Sequence, residues 1–184
     1  MTNMQAHTLI QQIYLVKVEI VNYDPSWPEL YTKEKSRIIE ACGDKVHAIE
    51  HIGSTSVPGL GAKPIIDILL GVKILSDAED IIPSMQNLGY TYKSAFEDVM
   101  PYRRYFTIPD QYHIHTVVTG SPFWKRHMNF RNYLRLHDEV RDNYFKIKTD
   151  LAEKEWNDIN DYAFAKTNFI RDIELKAAKY FNNE

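Results

Sequence analysis

At 184 residues, with 44% hydrophobic and 26% charged side chains, the chain is long enough to bury a core and too apolar to be disordered. A formal charge of −3 gives no footprint for bulk nucleic-acid binding, so any nucleic-acid contact would need a local basic patch. The single cysteine, Cys42, excludes an internal disulfide and a multi-cysteine zinc site and fits a reducing cytoplasm, and no apolar run approaches the length of a membrane span.

Met1 to about Gln12 reads as a leader without signal-peptide features, and Tyr14 to Val21 as a strand. A helix then opens at Ser26, with Glu29 completing a capping box and Pro28 in the first turn. Trp27, Leu30, Tyr31, Ile38, Ala41 and Cys42 recur at helical spacing, and Gly43 ends the run. Val46 to Ile52 reads as a strand, Gly53 to Pro64 as a turn-rich stretch, and Ile65 to Val72 as a strand covered on both faces. Ser76 to Glu79 forms another capping box, opening a helix that Gly89 closes. Tyr90 to Ala95, Tyr102 to Ile108 and Tyr112 to Thr119 read as three further strands. After Ser121-Pro122 the apolar spacing becomes helical and stays so to Phe181. The sum is an α+β fold: a small mixed sheet with flanking helices and a helical C-terminal region.

The chemistry concentrates between Glu50 and Leu70. Gly53 and Ser54, with Thr55 beside them, follow a strand and offer unhindered backbone N–H groups and hydroxyls to a phosphate. Twelve residues separate Ser54 from Asp67, an acid on the next strand able to hold Mg²⁺ bound to that phosphate. This order of strand, Gly-Ser and acid resembles the signature of the polymerase-beta-type nucleotidyltransferase superfamily.

The longer block EHIGSTSVPGLGAKPIIDI resembles the GrpB family, a group of small proteins assigned to that superfamily. The resemblance continues through YDPSWPELYTKEKSRI upstream and YRRYF, YHIHTVV, GSPFWKRHMNFRNYLRLH and AKTNFI downstream. It runs from Val18 to the final helix, so 1–17 reads as an N-terminal extension and 18–184 as the GrpB-like domain, helical from about residue 121. Active members of the superfamily place two acids on one strand at i and i+2, with a third on a later strand. Here the partner of Asp67 is Leu69, so the usual cluster for two-metal phosphoryl transfer is incomplete.

Substitutes stand nearby. His113 and His115 share one face of a strand where the superfamily's third acid is expected. With Asp67 they suit Zn²⁺ or Mn²⁺ rather than the Mg²⁺ that the resemblance implies, or one of them serves as a base. Glu50 is a candidate for the missing acid. Lys63, Arg103 and Arg104 are candidates for neutralising phosphate, with at most one of the two arginines facing the site. The resemblance implies a protein that binds a nucleotide or another phosphorylated small molecule and, if active, transfers a nucleotidyl group. Two other readings stand beside it: a catalytically inactive ligand-binding or accessory module, and a metal-dependent hydrolase using Asp67, His113 and His115.

Overall fold

A computed structural model describes residues 16–182. The leader, Tyr14 and the first part of the expected N-terminal strand lie outside those residues. From Val16 to Val21 the backbone forms no strand and makes two isolated bridges, Val16 to Trp156 and Val21 to Ala62.

Five strands form one mixed sheet: β1 (Ala48–Ile52), β2 (Ile66–Val72), β3 (Thr91–Tyr92), β4 (Arg104–Ile108) and β5 (Tyr112–Val118), in the order β1-β2-β5-β4-β3. Only β2 and β5 pair in parallel; the other neighbours are antiparallel. Alternation then sorts the side chains of the central strands between two faces. Ile66, Ile68, Leu70 and Val72 of β2 join Ile49, Phe106 and Ile114 in a core closed by helices α1 (Trp27–Cys42), α2 (Leu75–Asp80) and α3 (Ile82–Asn87). The opposite face carries Ile52, Leu69 and Val117, which pack on Phe123 of α4 (Pro122–Leu136).

Helices α5 (Asp138–Ala152), α6 (Ile159–Ala165) and α7 (Thr167–Asn182) complete the C-terminal region. Leu134, Tyr144 and Ile173, from α4, α5 and α7, bury Val57 and Leu60 of the turn-rich stretch. The small mixed sheet with flanking helices and a helical C-terminal region is thus the fold observed.

Local signals did not all act as their residue types suggest. Ser26 caps nothing with its side chain; Asp24 Oδ1 accepts the Ser26 N–H at 2.8 Å, and Glu29 pairs with Lys33 instead. At α2 the capping acid is Asp77, whose Oδ2 accepts the Ile74 N–H at 3.4 Å. The single helix expected as far as Gly89 breaks at Ile81, and Pro83 sits in the first turn of α3, where it needs no N–H partner. Leu30, expected inside, is 39% exposed. Its place in the core falls to Glu34, which is buried because Tyr90 donates to its Oε1 at 2.7 Å and Arg37 to its Oε2 at 2.7 Å.

Candidate functional site

Asp67 lies on the sheet face that looks toward α4–α7. In register it sits between Ile52 of β1 and His113 of β5. His113 Nδ1 is 3.4 Å from Asp67 Oδ1, and both side chains are about one-third exposed at 32% and 29%. The chain turns over this carboxylate at Gly53, with φ +69° and ψ −174°. A Cβ there would stand 2.4 Å from Asp67 Oδ2, so only glycine permits the approach.

The turn is held from two sides. Within the N-terminal half, the buried His51 ring stacks on Tyr31 with centroids 4.8 Å apart. His51 Nε2 lies 3.0 Å from the Thr55 hydroxyl, which donates to the Ile65 carbonyl at 3.2 Å. Burial first, and then Arg135 and Arg131, push the His51 ring down to about 4, so it is a neutral donor to Thr55. Thr55, expected to meet phosphate, is therefore already engaged in fastening the turn.

From the C-terminal half, basic side chains grip backbone carbonyls. Arg131 donates to His51 O and to Glu50 Oε2, both at 2.8 Å. Arg135 reaches Ser56 O through Nε at 3.0 Å and Nη2 at 2.6 Å, and Arg141 reaches Pro58 O at 3.5 Å. The Lys148 ammonium donates to Gly61 O.

A cavity of about 340 Å³ opens beside this turn. Ser54, Thr55, Lys63, Asp67, His113, Lys148 and Lys166 supply its polar wall. The buried Lys148 lies 4.8 Å from the Tyr144 ring centroid, and Lys166 lies 4.1 Å above the ring of Tyr162. Desolvation, with a smaller push from Lys166, lowers Lys148 to about 7. Desolvation also lowers Lys166 to about 8, against the opposing pull of Asp67. Neither ammonium has a carboxylate within ion-pair distance among the described residues. Two desolvated amines, of which only Lys166 feels the pull of Asp67, are costly to keep charged, and an anion entering the cavity relieves that cost. Tyr144 packs with Val57 and Leu60, tying α5 to the turn-rich stretch.

The structure separates other candidates from this cavity. Glu50 faces the same side as Asp67 but is paired with Arg131. Arg104 turns to Glu79 at 2.8 Å and Glu97 at 3.1 Å, already neutralised. Arg103 is enclosed by the Phe96, Tyr105 and Phe123 rings, with Nη1 3.0 Å from His115 Nδ1. Neither arginine lines the cavity. Lys63 does, at its exposed rim, 3.7 Å from Asp110.

His113 and His115 share a face as their spacing requires, yet only His113 meets Asp67: in register His115 stands beside Leu69, and it is stacked on Tyr105 at 4.9 Å and drawn to Arg103. Among the described residues no group of three or more His, Cys, Asp or Glu side chains is placed to hold a metal. Asp67 with His113 offers two donors, short of the three that an open catalytic zinc site uses. Leu69 is fully buried between strands. The mixed nitrogen–oxygen metal centre therefore does not fit this donor set.

Sequence reasoning assigned no role to Lys148 or Lys166. Two signals were present: Lys148 follows Tyr144 by four positions, a charge on the apolar face of α5, and Lys166 lies within the AKTNFI motif.

The family model described as GrpB protein matches residues 17–176. The chain belongs to the GrpB family. A UPF0157 protein of Halalkalibacterium halodurans is 38% identical over 160 residues, covering 87% of this chain and 82% of that protein. The UPF0157 protein YqkA of Bacillus subtilis is 36% identical over 167 residues; the match takes in 89% of this chain and 48% of YqkA, about half its length. The crystal structure of the conserved protein GrpB from Enterococcus faecalis superposes with a TM-score of 0.80 at 32% identity, covering 89% of this chain and 99% of that one. This GrpB-family chain has no described helix long and apolar enough to cross a membrane.

Proposed function

We propose that the chain binds a nucleotide or another phosphorylated small molecule in the cavity between Asp67 and the lysines of α5 and the α6–α7 junction. The observation that carries this reading is the pair Lys148 and Lys166, two largely desolvated amines without a carboxylate partner among the described residues, beside the hydroxyl of Ser54. A phosphate between them restores the charge balance and draws protons back onto both amines. A carboxylate next to a phosphate is repulsive unless a cation stands between them. Mg²⁺ carried on a ligand's phosphates needs only one or two protein carboxylates, and Asp67 supplies one. Such an ion neutralises phosphate charge.

Binding without turnover is the simpler form of this function. Nucleotidyl transfer by two metals needs clustered oxygen ligands, and Leu69 is packed against Ile52, Val117 and Phe123 where a second acid would stand. That observation favours a ligand sensor or accessory module over a transferase or hydrolase.

Calorimetry with a panel of nucleoside triphosphates and inorganic triphosphate, with and without Mg²⁺, tests the proposal. Lys148→Met with Lys166→Met is expected to weaken binding by more than about tenfold, about 1.4 kcal/mol, and Asp67→Asn to remove the dependence on Mg²⁺. Unchanged affinity in the double lysine variant, or no binding heat from any member of the panel, overturns it.

A further inference from the structure

Asp67 is a shared wall. On its other side lies a second cavity of about 220 Å³, bounded by Asp67, His115, His127 and Glu174 with Phe130 and Ile170 among its apolar lining. That is roughly seven water volumes and below the about 300–1,000 Å³ of pockets for drug-sized ligands. It therefore suits a small molecule.

The hydrogen bonds behind the two histidines decide what they offer. A guanidinium only donates, so His115 Nδ1, 3.0 Å from Arg103 Nη1, must accept. The proton of the neutral His115 ring is then on Nε2. A carbonyl only accepts, so His127 Nδ1, 2.8 Å from Phe123 O, must donate. The neutral His127 ring therefore keeps a free lone pair on Nε2. Burial keeps both rings neutral: His115 is held well below its ordinary range, and His127 is pushed down to about 4. Their centroids are 6.2 Å apart. The pair thus offers one donor and one acceptor to the cavity that both residues line, the complement of a hydroxyl, which both accepts and donates.

The remaining polar wall is carboxylate. Glu174 meets Arg126 only at 3.5 Å, and Asp67 faces His113 at 3.4 Å on the far side. The chemistry here is opposite in sign to the lysine-walled cavity next door.

We propose that this second cavity binds a small alcohol, with an amino alcohol the favoured class, its hydroxyl between His115 Nε2–H and His127 Nε2 and its ammonium toward Asp67 and Glu174. The two sites share Asp67 and no other lining residue, so this one is read in the absence of phosphate and Mg²⁺. Its hydroxyl and ammonium partners all come from the sheet face, α4 and α7.

Protein labelled with ¹⁵N at histidine, titrated with 2-aminoethanol near neutral pH, tests this. Without ligand, His115 is expected as the Nε2–H tautomer and His127 as the Nδ1–H tautomer. 2-Aminoethanol then shifts His127 Nε2 saturably, glycerol binds several-fold more weakly for want of the cation, and acetate does not bind. His127→Gln and, separately, Glu174→Gln weaken 2-aminoethanol binding by about tenfold, the loss expected for a hydrogen bond to a charged or buried partner. A reversed tautomer at either histidine overturns the proposal. So does acetate binding as tightly as 2-aminoethanol, or full affinity retained in both variants. A failed phosphate titration leaves this test intact, because the tautomers are read without nucleotide.

Discussion

Replacing Gly53 by alanine tests whether the turn is built around the Asp67 carboxylate. Two costs add. The backbone at φ +69°, ψ −174° lies in a region essentially reserved for glycine, which costs a side-chain-bearing residue about 1–3 kcal/mol. The new Cβ would also sit 2.4 Å from Asp67 Oδ2 and 3.0 Å from its Cβ and Cγ, an overpacking worth about another 1–3 kcal/mol. The sum is roughly 2–6 kcal/mol. At about 2–4 °C per kcal/mol for a chain of this size, Tm falls by roughly 4–24 °C. Gly43 is the control: it also has positive φ, at +59°, but nothing lies within 4 Å of an added Cβ. Gly43→Ala therefore carries only the backbone cost of about 1–3 kcal/mol. Urea and thermal melts of both variants, each repeated in an Asp67→Ala background, separate the two costs. The excess of Gly53→Ala over Gly43→Ala should largely vanish when the Asp67 carboxylate is gone. Equal losses at the two glycines, or an excess that persists without the carboxylate, would refute the reasoning.

Other expectations rest on the same contacts. Lys148 and Lys166 are held below their ordinary value of 10.5, so between about 7 and 10 the unfolded chain binds protons that the folded chain does not. Stability of the ligand-free protein therefore rises with pH across that window, by a few kcal/mol at about 1.4 kcal/mol per tenfold change in proton affinity, and thermal melts of Lys148→Met should show a flatter profile. Triphosphate binding at pH 8 should take up protons, seen as binding heats that depend on the buffer's ionisation enthalpy. Arg131→Met strips the donor from three acceptors, Glu50, His51 O and Asn132 Oδ1, and should lower stability by about 2–4 kcal/mol in urea melts, part of the pair's value being lost to the half-exposed Glu50. Tyr90→Phe leaves Glu34 buried without its hydroxyl donor and should cost about 1–3 kcal/mol by the same measurement.

Much of the fold is legible along the chain because its signals are local. The apolar run of β2, the alternation in β4 and β5, and Ser121-Pro122 ahead of α4 each act within a few residues; Ser121 Oγ does accept the Trp124 N–H at 3.3 Å. Competition between neighbours hides the rest. Asp24 takes the N–H at the start of α1, and the residues after Tyr92 curl into a 3₁₀ turn (Ser94–Glu97) as Tyr92 and Arg104 close on Glu97, so the third strand shrinks to two residues.

The candidate cavity divides the same way. Gly53, Ser54 and Asp67 are visible in one short segment. The roles of Lys148 and Lys166 depend on how α5 and the α6–α7 junction fall across the sheet, which no local spacing encodes. His113 and His115 have identical periodicity, and only the pairing of β2 with β5, which sets Asp67 beside His113 and Leu69 beside His115, together with Arg103 just ahead of β4, makes them different.

The carbonyls gripped by Arg131, Arg135, Arg141 and Lys148 all belong to residues between His51 and Gly61. On a growing chain the sheet is complete once β5 has emerged, yet the stretch over Asp67 lacks these clamps until α4 and α5 have been made. Order in that stretch, beyond what the His51, Thr55 and Ile65 bonds supply, is thus set by whether the last third of the polypeptide is docked. In hydrogen exchange, amides of β2 and β5 should report global unfolding, whereas those around Val57 to Gly61 open whenever the C-terminal helices lift. Any event that loosens those helices, such as a nick or a bound partner, would strip these clamps and leave the turn held by its His51, Thr55 and Ile65 bonds, with the sheet intact.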